Sequence, residues 1–270
     1  MPRTVVVTGA SSGVGLAAAR QFAAYGDDVV LVGRNATRLD EAVRQVRAAG
    51  GGREPGRFQA DFDSFEDVRR LAGDLGTAYR RIDVLANNAG GIVRGYRRTK
   101  DGFEATMQGN HLSPFLLTNL LSERLAGGRV VNTASAAHRT SNLDPNDFVS
   151  SPGSYRAWQS YGASKAANIL FAAEAARRWP DIFSVSFHPG VVRTNFGGPG
   201  LIRLFYRFAP GLVSAQQAGG LLVWLATTPE SGLTDGAYYI GQEVKRPTSE
   251  ASDPRLAAEL WDASAKAVGL

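Results

Sequence analysis

A tyrosine and a lysine four residues apart form the pair in this sequence best suited to move a proton. Tyr161 and Lys165 lie in a segment, residues 157–178, whose apolar residues recur at helical spacing, so both side chains face one side of the predicted helix. A free phenol titrates at about 10, and a neighbouring ammonium group stabilises the phenolate and lowers that pKa. The pair therefore predicts a general acid or base that works near neutral pH, although the same spacing also occurs by chance on solvent-facing helices.

Polar residues also stand directly after several predicted strands. Ser135 follows the fifth strand, and Asp61 and Phe62 follow the third. The fourth strand runs into the sequence Asn87, Asn88, Ala89 and Gly90. Because the carboxyl ends of parallel strands open on the same edge of a sheet, we expect these residues to line one ligand crevice.

The elements that must position these residues are short β-branched runs alternating with helical patterns. Strands are predicted at residues 4–8, 29–33, 57–60, 84–87, 129–133, 183–187 and 237–240. Helices are predicted at residues 16–25, 38–48, 65–79, 103–125, 157–178 and 215–226. This alternation predicts an α/β fold in which a doubly wound, parallel sheet of seven strands is covered by helices on both faces. Residues 1–270 are expected to form one domain.

A glycine-rich turn joins the first strand to the first helix. Gly9, Gly13 and Gly15 meet three needs of such a turn: a tight bend, close approach of the backbone to a diphosphate, and close packing of helix on strand. A purely structural loop is the alternative. The position between strand and helix favours a dinucleotide site.

The second strand ends at an arginine, in a position where an acidic residue would instead favour binding of an unmodified ribose. Arg34 offers a planar set of donors to a 2′-phosphate, with Arg38 one turn further along. Neither Gly33 nor Asn35 is acidic. The sequence therefore predicts NADP rather than NAD, with a solvent-facing arginine as the alternative.

Composition excludes several other kinds of site. The 270 residues include no cysteine and three histidines, which removes thiol nucleophiles and makes a metal site an unexpected feature. The net charge of +5 is spread along the chain, which argues against nucleic acid as the partner. No window is long and apolar enough for a membrane span, and no targeting segment precedes the first strand, so we expect a cytoplasmic protein.

Two loop-like stretches, residues 138–153 and 195–211, follow strands on the expected ligand side. In the second, the residues Leu201, Leu204, Phe205 and Phe208 share one helical face. We interpret this apolar stripe as a substrate lid; a helix docked on the core and a membrane contact are the alternatives. Of the histidines, His111 and His188 are interpreted as packing or hydrogen-bonding residues. His138, three residues after Ser135, is a candidate substrate contact.

Taken together, these motifs resemble those of the short-chain dehydrogenase/reductase superfamily, from Thr4 to the end of the chain. The matching features are the glycine turn at 8–15, the sequence at 87–90, Asn110, Ser135, Tyr161 with Lys165, and Pro189 with Gly190. Segments 99–104, 110–119, 164–171 and 256–270 are similar to the retinol-dehydrogenase-like branch. The resemblance implies a Rossmann fold and an NADP(H)-dependent enzyme that forms a homodimer or homotetramer.

The resemblance also implies roles for individual residues. Ser135 would hydrogen-bond the substrate oxygen, Tyr161 would exchange the proton, and Lys165 would lower the pKa of the tyrosine and bind the nicotinamide ribose. Asn110 would complete a water-linked proton relay. The implied cofactor contacts are Gly9, Ser11, Ser12, Gly13, Val14 and Gly15 at the phosphates and ribose, Asp61 and Phe62 at the adenine, Asn88, Ala89 and Gly90 in the centre, and Pro189, Gly190, Val191, Val192 and Thr194 at the nicotinamide.

These observations favour an oxidoreductase that interconverts a carbonyl and an alcohol on an apolar small molecule. Hydroxyl donors would stabilise the developing alkoxide, while the cofactor would supply the hydride. A dinucleotide-binding sensor without turnover is a second hypothesis, which the complete set of Ser135, Tyr161 and Lys165 argues against. A sugar-nucleotide epimerase or dehydratase is a third, which the glycine spacing and shorter chain disfavour.

Overall fold

The computed structural model describes residues 2–192 and 212–270. Its eight strands are β1 Thr4–Thr8, β2 Asp28–Gly33, β3 Gly56–Gln59, β4 Val84–Asn87, β5 Arg129–Thr133, β6 Phe183–His188, β7 Tyr238–Ile240 and β8 Glu243–Val244. They form one sheet in the order β3-β2-β1-β4-β5-β6-β7-β8. The seven predicted strands are confirmed and run parallel, while β8 is a short antiparallel edge strand that the sequence did not predict.

Helices cover both faces of this sheet, as the doubly wound prediction requires. In the described residues they are α1 Gly13–Ala24, α2 Ala36–Ala49, α3 Phe65–Ala78, α4 Ala105–Met107, α5 Ser113–Leu120, α6 Ala157–Arg178, α7 Ala215–Thr227 and α8 Pro254–Val268. The terminal helix α8 was not among the predicted helices. None of these described helices is long and apolar enough to cross a membrane.

The alternating side chains of the buried strands divide the core into two layers. On β1, Val5 and Val7 belong to the layer shared with α1, α2 and α7, whereas Val6 belongs to the layer shared with α3, α5, α6 and α8. All three valines are completely buried. Burial on both faces explains why these strands have continuous apolar sequences instead of alternating ones.

The strand order reverses between β1 and β4, whose residues pair in parallel from Val5 with Val84 to Val7 with Ala86. Ligands of open α/β sheets bind at such a reversal, beyond the carboxyl ends of the strands. The loops that leave β1 and β4 are those that carry the glycine turn and the residues 88–90. The fold therefore brings the predicted crevice residues to one edge.

The predicted helix at 103–125 is interrupted where Asn110, a predicted member of the proton relay, is located. Between α4 and α5 the chain forms a π-helical turn, Gln108–Leu112, and the segment ends in a 3₁₀ turn at Ser122–Leu125. π turns are rare, occur mostly as single turns inside α-helices, and are frequent at functional sites. Asn110 lies in the middle of this turn.

Candidate active site

The glycine turn after β1 is a tight, preformed structure. Gly9 and Gly13 have φ values of +67° and +57°, in the left-handed region that favours glycine. A Cβ at Gly9 would lie 2.8 Å from the Cα of Ala89, and one at Gly15 would lie 2.5 Å from the Asn88 side chain. The turn is therefore packed directly against the loop that follows β4, and it leads into the N-terminus of α1.

Thr8 joins these two loops and was not singled out in the sequence. Its hydroxyl donates to the carbonyl of Ala86 and accepts from the backbone N–H groups of Asn88 and Ala89, each at 3.0 Å. The Asn88 amide donates in turn to the Thr8 carbonyl at 3.0 Å. A polar residue at the end of an otherwise apolar, buried strand was the feature that could have revealed this contact.

Tyr161, Lys165 and Ser135 meet above the carboxyl end of β5. Tyr161 and Lys165 are one turn apart on α6, and the Lys165 Nζ lies 5.5 Å from the centre of the Tyr161 ring. The Ser135 side chain is close enough to the Tyr161 phenol to lower its pKa. Lys165 donates to the carbonyl of Thr133, the last residue of β5, at 2.9 Å. The predicted catalytic residues therefore form one contiguous group.

Burial dominates the titration of this group. It raises the pKa of Tyr161 to about 12, and the Ser135 side chain opposes that rise. Burial also lowers the pKa of Lys165 to about 8. The sequence-based expectation of a lowered tyrosine pKa is thus not met, because burial disfavours the charged phenolate. At neutral pH the phenol retains its proton, as a proton donor must.

The π turn aims the Asn110 side chain at the same group. The Asn110 Oδ1 accepts from the N–H of Gly91 at 2.8 Å, and its Nδ2 donates to the Gly91 carbonyl and to the Ser164 hydroxyl, each at 2.9 Å. Gly90 has a φ of +153°, and a Cβ there would lie 2.6 Å from Asn110 and 3.6 Å from the Lys165 Nζ. Asn110 thus connects the loop after β4 to helix α6.

Arg34 stands at the edge of the crevice, at the end of β2. Its guanidinium is 68% exposed and lies 3.7 Å from the carboxylate of Asp61 and 3.6 Å from that of Asp63. Arg38 is exposed as well, and its backbone N–H is capped by the Asn35 side chain. Exposed pairs at this distance are weak, so the Arg34 donors can turn to an anionic ligand at little cost.

The chain is similar to proteins of a known family over most of its length. The sequence profile of the short chain dehydrogenase family matches residues 3–199. This chain belongs to the short-chain dehydrogenase/reductase family. A relative from Streptomyces sp. (strain C5), named as a daunorubicin C-13 ketoreductase, is 49% identical over 99% of this chain and 93% of its own. Human retinol dehydrogenase 14 is 35% identical over 99% of this chain and 87% of its own.

Solved structures that are similar to this chain agree with the family assignment. An uncharacterized protein from Mycobacterium paratuberculosis aligns with a TM-score of 0.81 and 29% identity, over 99% of this chain and 93% of that one. A short chain dehydrogenase from Burkholderia cenocepacia J2315, solved in complex with NADP, aligns with a TM-score of 0.70 and 27% identity, over 88% and 94%. This short-chain dehydrogenase is therefore an oxidoreductase of CH–OH or C=O groups, in the retinol-dehydrogenase-like branch.

The loop after β6 carries the residues predicted to contact the nicotinamide. Gly190 follows Pro189 with a φ of +87°, and a Cβ there would lie 2.5 Å from Val213. The Val213 N–H donates to the carbonyl of Val191 at 3.0 Å, and Val192 forms a bridge with Val213. The Val191 side chain is 48% exposed. Residues 189–192 directly follow the carboxyl end of β6, and their contact with the nicotinamide stays a prediction.

Three predictions concern residues whose side chains are fully or partly buried. His138 is 2% exposed, its Nδ1 lies 2.8 Å from the carbonyl oxygen of Ser135, and burial lowers its pKa. It thus contacts the backbone of Ser135, and its role as a substrate contact stays a prediction. Phe62 packs in the core beside α3, so its backbone is the part left to contact an adenine. The packing role predicted for His188 stays a prediction, since its buried Nδ1 has no partner in the described residues.

Trp158, which was not predicted from the sequence as a site residue, lies beside Tyr161. Its indole is 51% exposed. Its ring centre lies 5.8 Å from that of Tyr161, which follows it by one turn of α6. The helical spacing of three residues from Tyr161 could have revealed it.

The remaining site predictions fall outside the described residues. They are the cofactor contact Thr194, the lid at 195–211 and its residues Leu201, Leu204 and Phe205. Among the residues that the structure does describe, no group of three metal-binding side chains comes together.

Proposed function

We propose that this short-chain dehydrogenase uses NADPH to reduce a carbonyl group on an apolar small molecule to an alcohol. The observation that carries the proposal is the contiguous group of Ser135, Tyr161 and Lys165, in which the phenol is protonated at neutral pH. A protonated donor suits reduction, where the nascent alkoxide takes up a proton. Oxidation of an alcohol would need the phenolate instead.

The described residues fit NADP(H) on three grounds. Gly9 and Gly13 hold the turn in left-handed conformations, and glycine-rich turns that lead into a helix N-terminus offer backbone N–H groups to phosphates. The first turn of α1 carries no acidic side chain, and the Ser12 side chain makes no capping hydrogen bond, so this helix N-terminus suits a diphosphate. Arg34, 68% exposed, suits the 2′-phosphate. Solved relatives in complex with NADP or NADPH support this assignment.

Each catalytic side chain then has a defined task. NADPH, when bound, supplies the hydride that adds to the carbonyl carbon. The Ser135 hydroxyl holds the substrate oxygen, and Tyr161 transfers its phenolic proton to that oxygen as the C=O electron pair becomes a lone pair. Lys165 stabilises the phenolate that remains, and Asn110 anchors the path along which Tyr161 regains a proton. The products are the alcohol and oxidised cofactor.

An apolar substrate is supported by the surface around Tyr161. Trp158 and Val191 are two of the six large apolar side chains that are exposed in the described residues. Trp158 packs beside Tyr161, and Val191 follows the carboxyl end of β6. Exposed apolar surface next to a catalytic group is characteristic of a substrate contact. The lid over residues 195–211 belongs to the same proposal on sequence grounds, as do a cytoplasmic location and a homodimer or homotetramer.

The test is the consumption of NADPH with a panel of carbonyl compounds. The panel should contain daunorubicin and a retinal, because relatives carry names that refer to daunorubicin and retinol, together with aliphatic ketones and short oxo-acids. We expect turnover with apolar ketones or aldehydes, and loss of nearly all turnover in Tyr161→Phe with NADPH affinity retained. NADPH binding without turnover of any carbonyl, or a Phe variant of near-normal rate, would overturn the proposal.

A further inference from the structure

His111 is a buried histidine that the proposed reaction does not use. It follows Asn110 in the π turn and is completely buried. Its Nε2 lies 2.9 Å from the Ser264 hydroxyl, on the terminal helix α8. The predicted hydrogen-bonding role of His111 is thus confirmed, but its partner is 153 residues away in the sequence.

The imidazole is held in a cage of aromatic rings. The ring centres of Phe115, Phe148 and Phe171 lie 6.1, 6.4 and 6.3 Å from that of His111. Trp261 of α8 contacts Phe115 and Phe171 at 5.0 and 5.6 Å. Burial in this cage lowers the pKa of His111 to about 4, so the ring is neutral and its hydrogen bond to Ser264 persists across the working pH range.

Neighbouring residues of the turn therefore point into different parts of the molecule. Asn110 bonds to Gly91 and Ser164 at the catalytic group, whereas His111 bonds to α8. A π turn is rare compared with α-helical backbone, so side-chain contacts must favour it here over the α-helical register. A return to that register would rotate the Asn110 amide away from both of its partners.

We propose that His111 and Ser264 form a positioning pair, which holds the π turn in place and thereby fixes the Asn110 amide against Gly91 and Ser164. The terminal helix α8 becomes in this way a support of the active site as well as a part of the core. The inference rests on the proposed function, in which Asn110 anchors the proton path to Tyr161. Neither His111 nor Ser264 touches substrate or cofactor in it.

The test compares Ser264→Ala, His111→Phe and His111→Gln with a matched control, Ser184→Ala. Ser184 is also completely buried, but its hydroxyl has no hydrogen-bond partner in the described residues. We expect Ser264→Ala to lower kcat for carbonyl reduction by about tenfold and to raise its solvent deuterium isotope effect, with KM and NADPH affinity within about twofold. Ser184→Ala should match the parent in all four quantities.

The remaining variants separate positioning from packing. His111→Phe fills the aromatic cage but cannot reach Ser264, so it should lose kcat, and adding Ser264→Ala to it should cause no further loss. His111→Gln should recover part of the rate, because its amide can still bond to Ser264. Additive losses in the double variant, or a Ser264→Ala enzyme with the kcat of the parent, would overturn the inference.

Hydrogen exchange gives a readout that does not depend on activity. The amides of residues 108–112 should exchange faster in Ser264→Ala and His111→Phe than in Ser184→Ala, while those of β1 remain unchanged. Unchanged exchange in that segment would overturn the positioning role even if the rates fell. If the parent itself reduced no carbonyl, the proposed function would fail, and the exchange experiment would still decide whether the pair holds the turn.

Discussion

The Lys165 ammonium group lies beside the Tyr161 ring, 5.5 Å from its centre, and is anchored there by a 2.9 Å hydrogen bond to the Thr133 carbonyl. A single backbone acceptor in a buried site only partly replaces water around a cation, which is why the pKa of Lys165 falls to about 8. The charge that would stabilise a Tyr161 phenolate is therefore itself sensitive to pH. This relationship gives the site a defined alkaline limit.

The first prediction concerns that limit. For reduction, kcat/KM reports the ionisation of the free enzyme. Lys165 carries its charge below pH 8 and loses it above, so kcat/KM should be constant below about pH 8 and fall by about tenfold per unit above it. The pKa of Tyr161, raised to about 12, should not contribute in this range. A pH profile of NADPH-dependent reduction measures the limit.

Lys165→Arg provides the discriminating variant. A guanidinium remains charged at alkaline pH, so the decline should move above about pH 10 even though the maximal rate falls through the changed geometry. Lys266→Arg, at an exposed position on α8, is the matched control and should keep the profile of the parent. An unshifted decline in Lys165→Arg would assign the alkaline limit to another group.

The second prediction concerns cofactor choice. Arg34→Gln removes the charge proposed to bind the 2′-phosphate, so the Kd for NADPH should rise by about 10- to 100-fold, equivalent to about 1.4–2.8 kcal/mol. The Kd for NADH should change by less than about twofold. Because Arg34 is 68% exposed, the preference for NADPH in the parent should also shrink as salt is added. Titration of cofactor fluorescence measures both constants.

Arg44→Gln is the control for Arg34. Arg44 is equally exposed on α2 but pairs with Glu41, away from the end of β2. It should leave both cofactor affinities unchanged. Equal Kd values for NADPH and NADH in the parent would show that Arg34 is only a surface residue paired with Asp61 and Asp63.

The parallel sheet, the glycine turn and the placement of Tyr161 and Lys165 on one helix could be predicted because each depends on local pattern. Strands buried on both faces have continuous apolar sequences, so they can be identified from the sequence. The spacing of Tyr161 and Lys165 alone places both on one side of a helix. The short strand β8 has no such pattern, since it consists of two exposed residues, Glu243 and Val244.

The π turn could not be predicted from local sequence, for a different reason. Its apolar spacing is typical of one continuous helix over 103–125. The side chains of the turn contact residues that are distant in the sequence, Gly91 for Asn110 and Ser264 for His111. The pKa of Tyr161 was misjudged for the same reason. Its neighbour on the helix can be read from the sequence, but the extent of its burial depends on the whole fold.

The last prediction concerns substrate selection by Trp158. Its half-exposed indole beside Tyr161 offers a flat apolar surface, and aromatic rings stack on such a surface at centre distances of about 4.5–7 Å. Trp158→Ala should therefore raise KM for fused-ring aromatic ketones by about tenfold and change KM for small aliphatic ketones by less than about twofold. Trp158→Phe should lie between Ala and the parent, and kcat and the Kd for NADPH should be preserved.

Tyr25→Ala is the matched control, because Tyr25 is the other strongly exposed aromatic side chain in the described residues and lies at the far end of α1. It should leave every constant unchanged. A uniform rise in KM for aromatic and aliphatic ketones in Trp158→Ala would mean that the indole shapes the crevice without selecting planar substrates. No rise for either class would remove Trp158 from the substrate site and leave the apolar contacts to Val191 and the segment at 195–211.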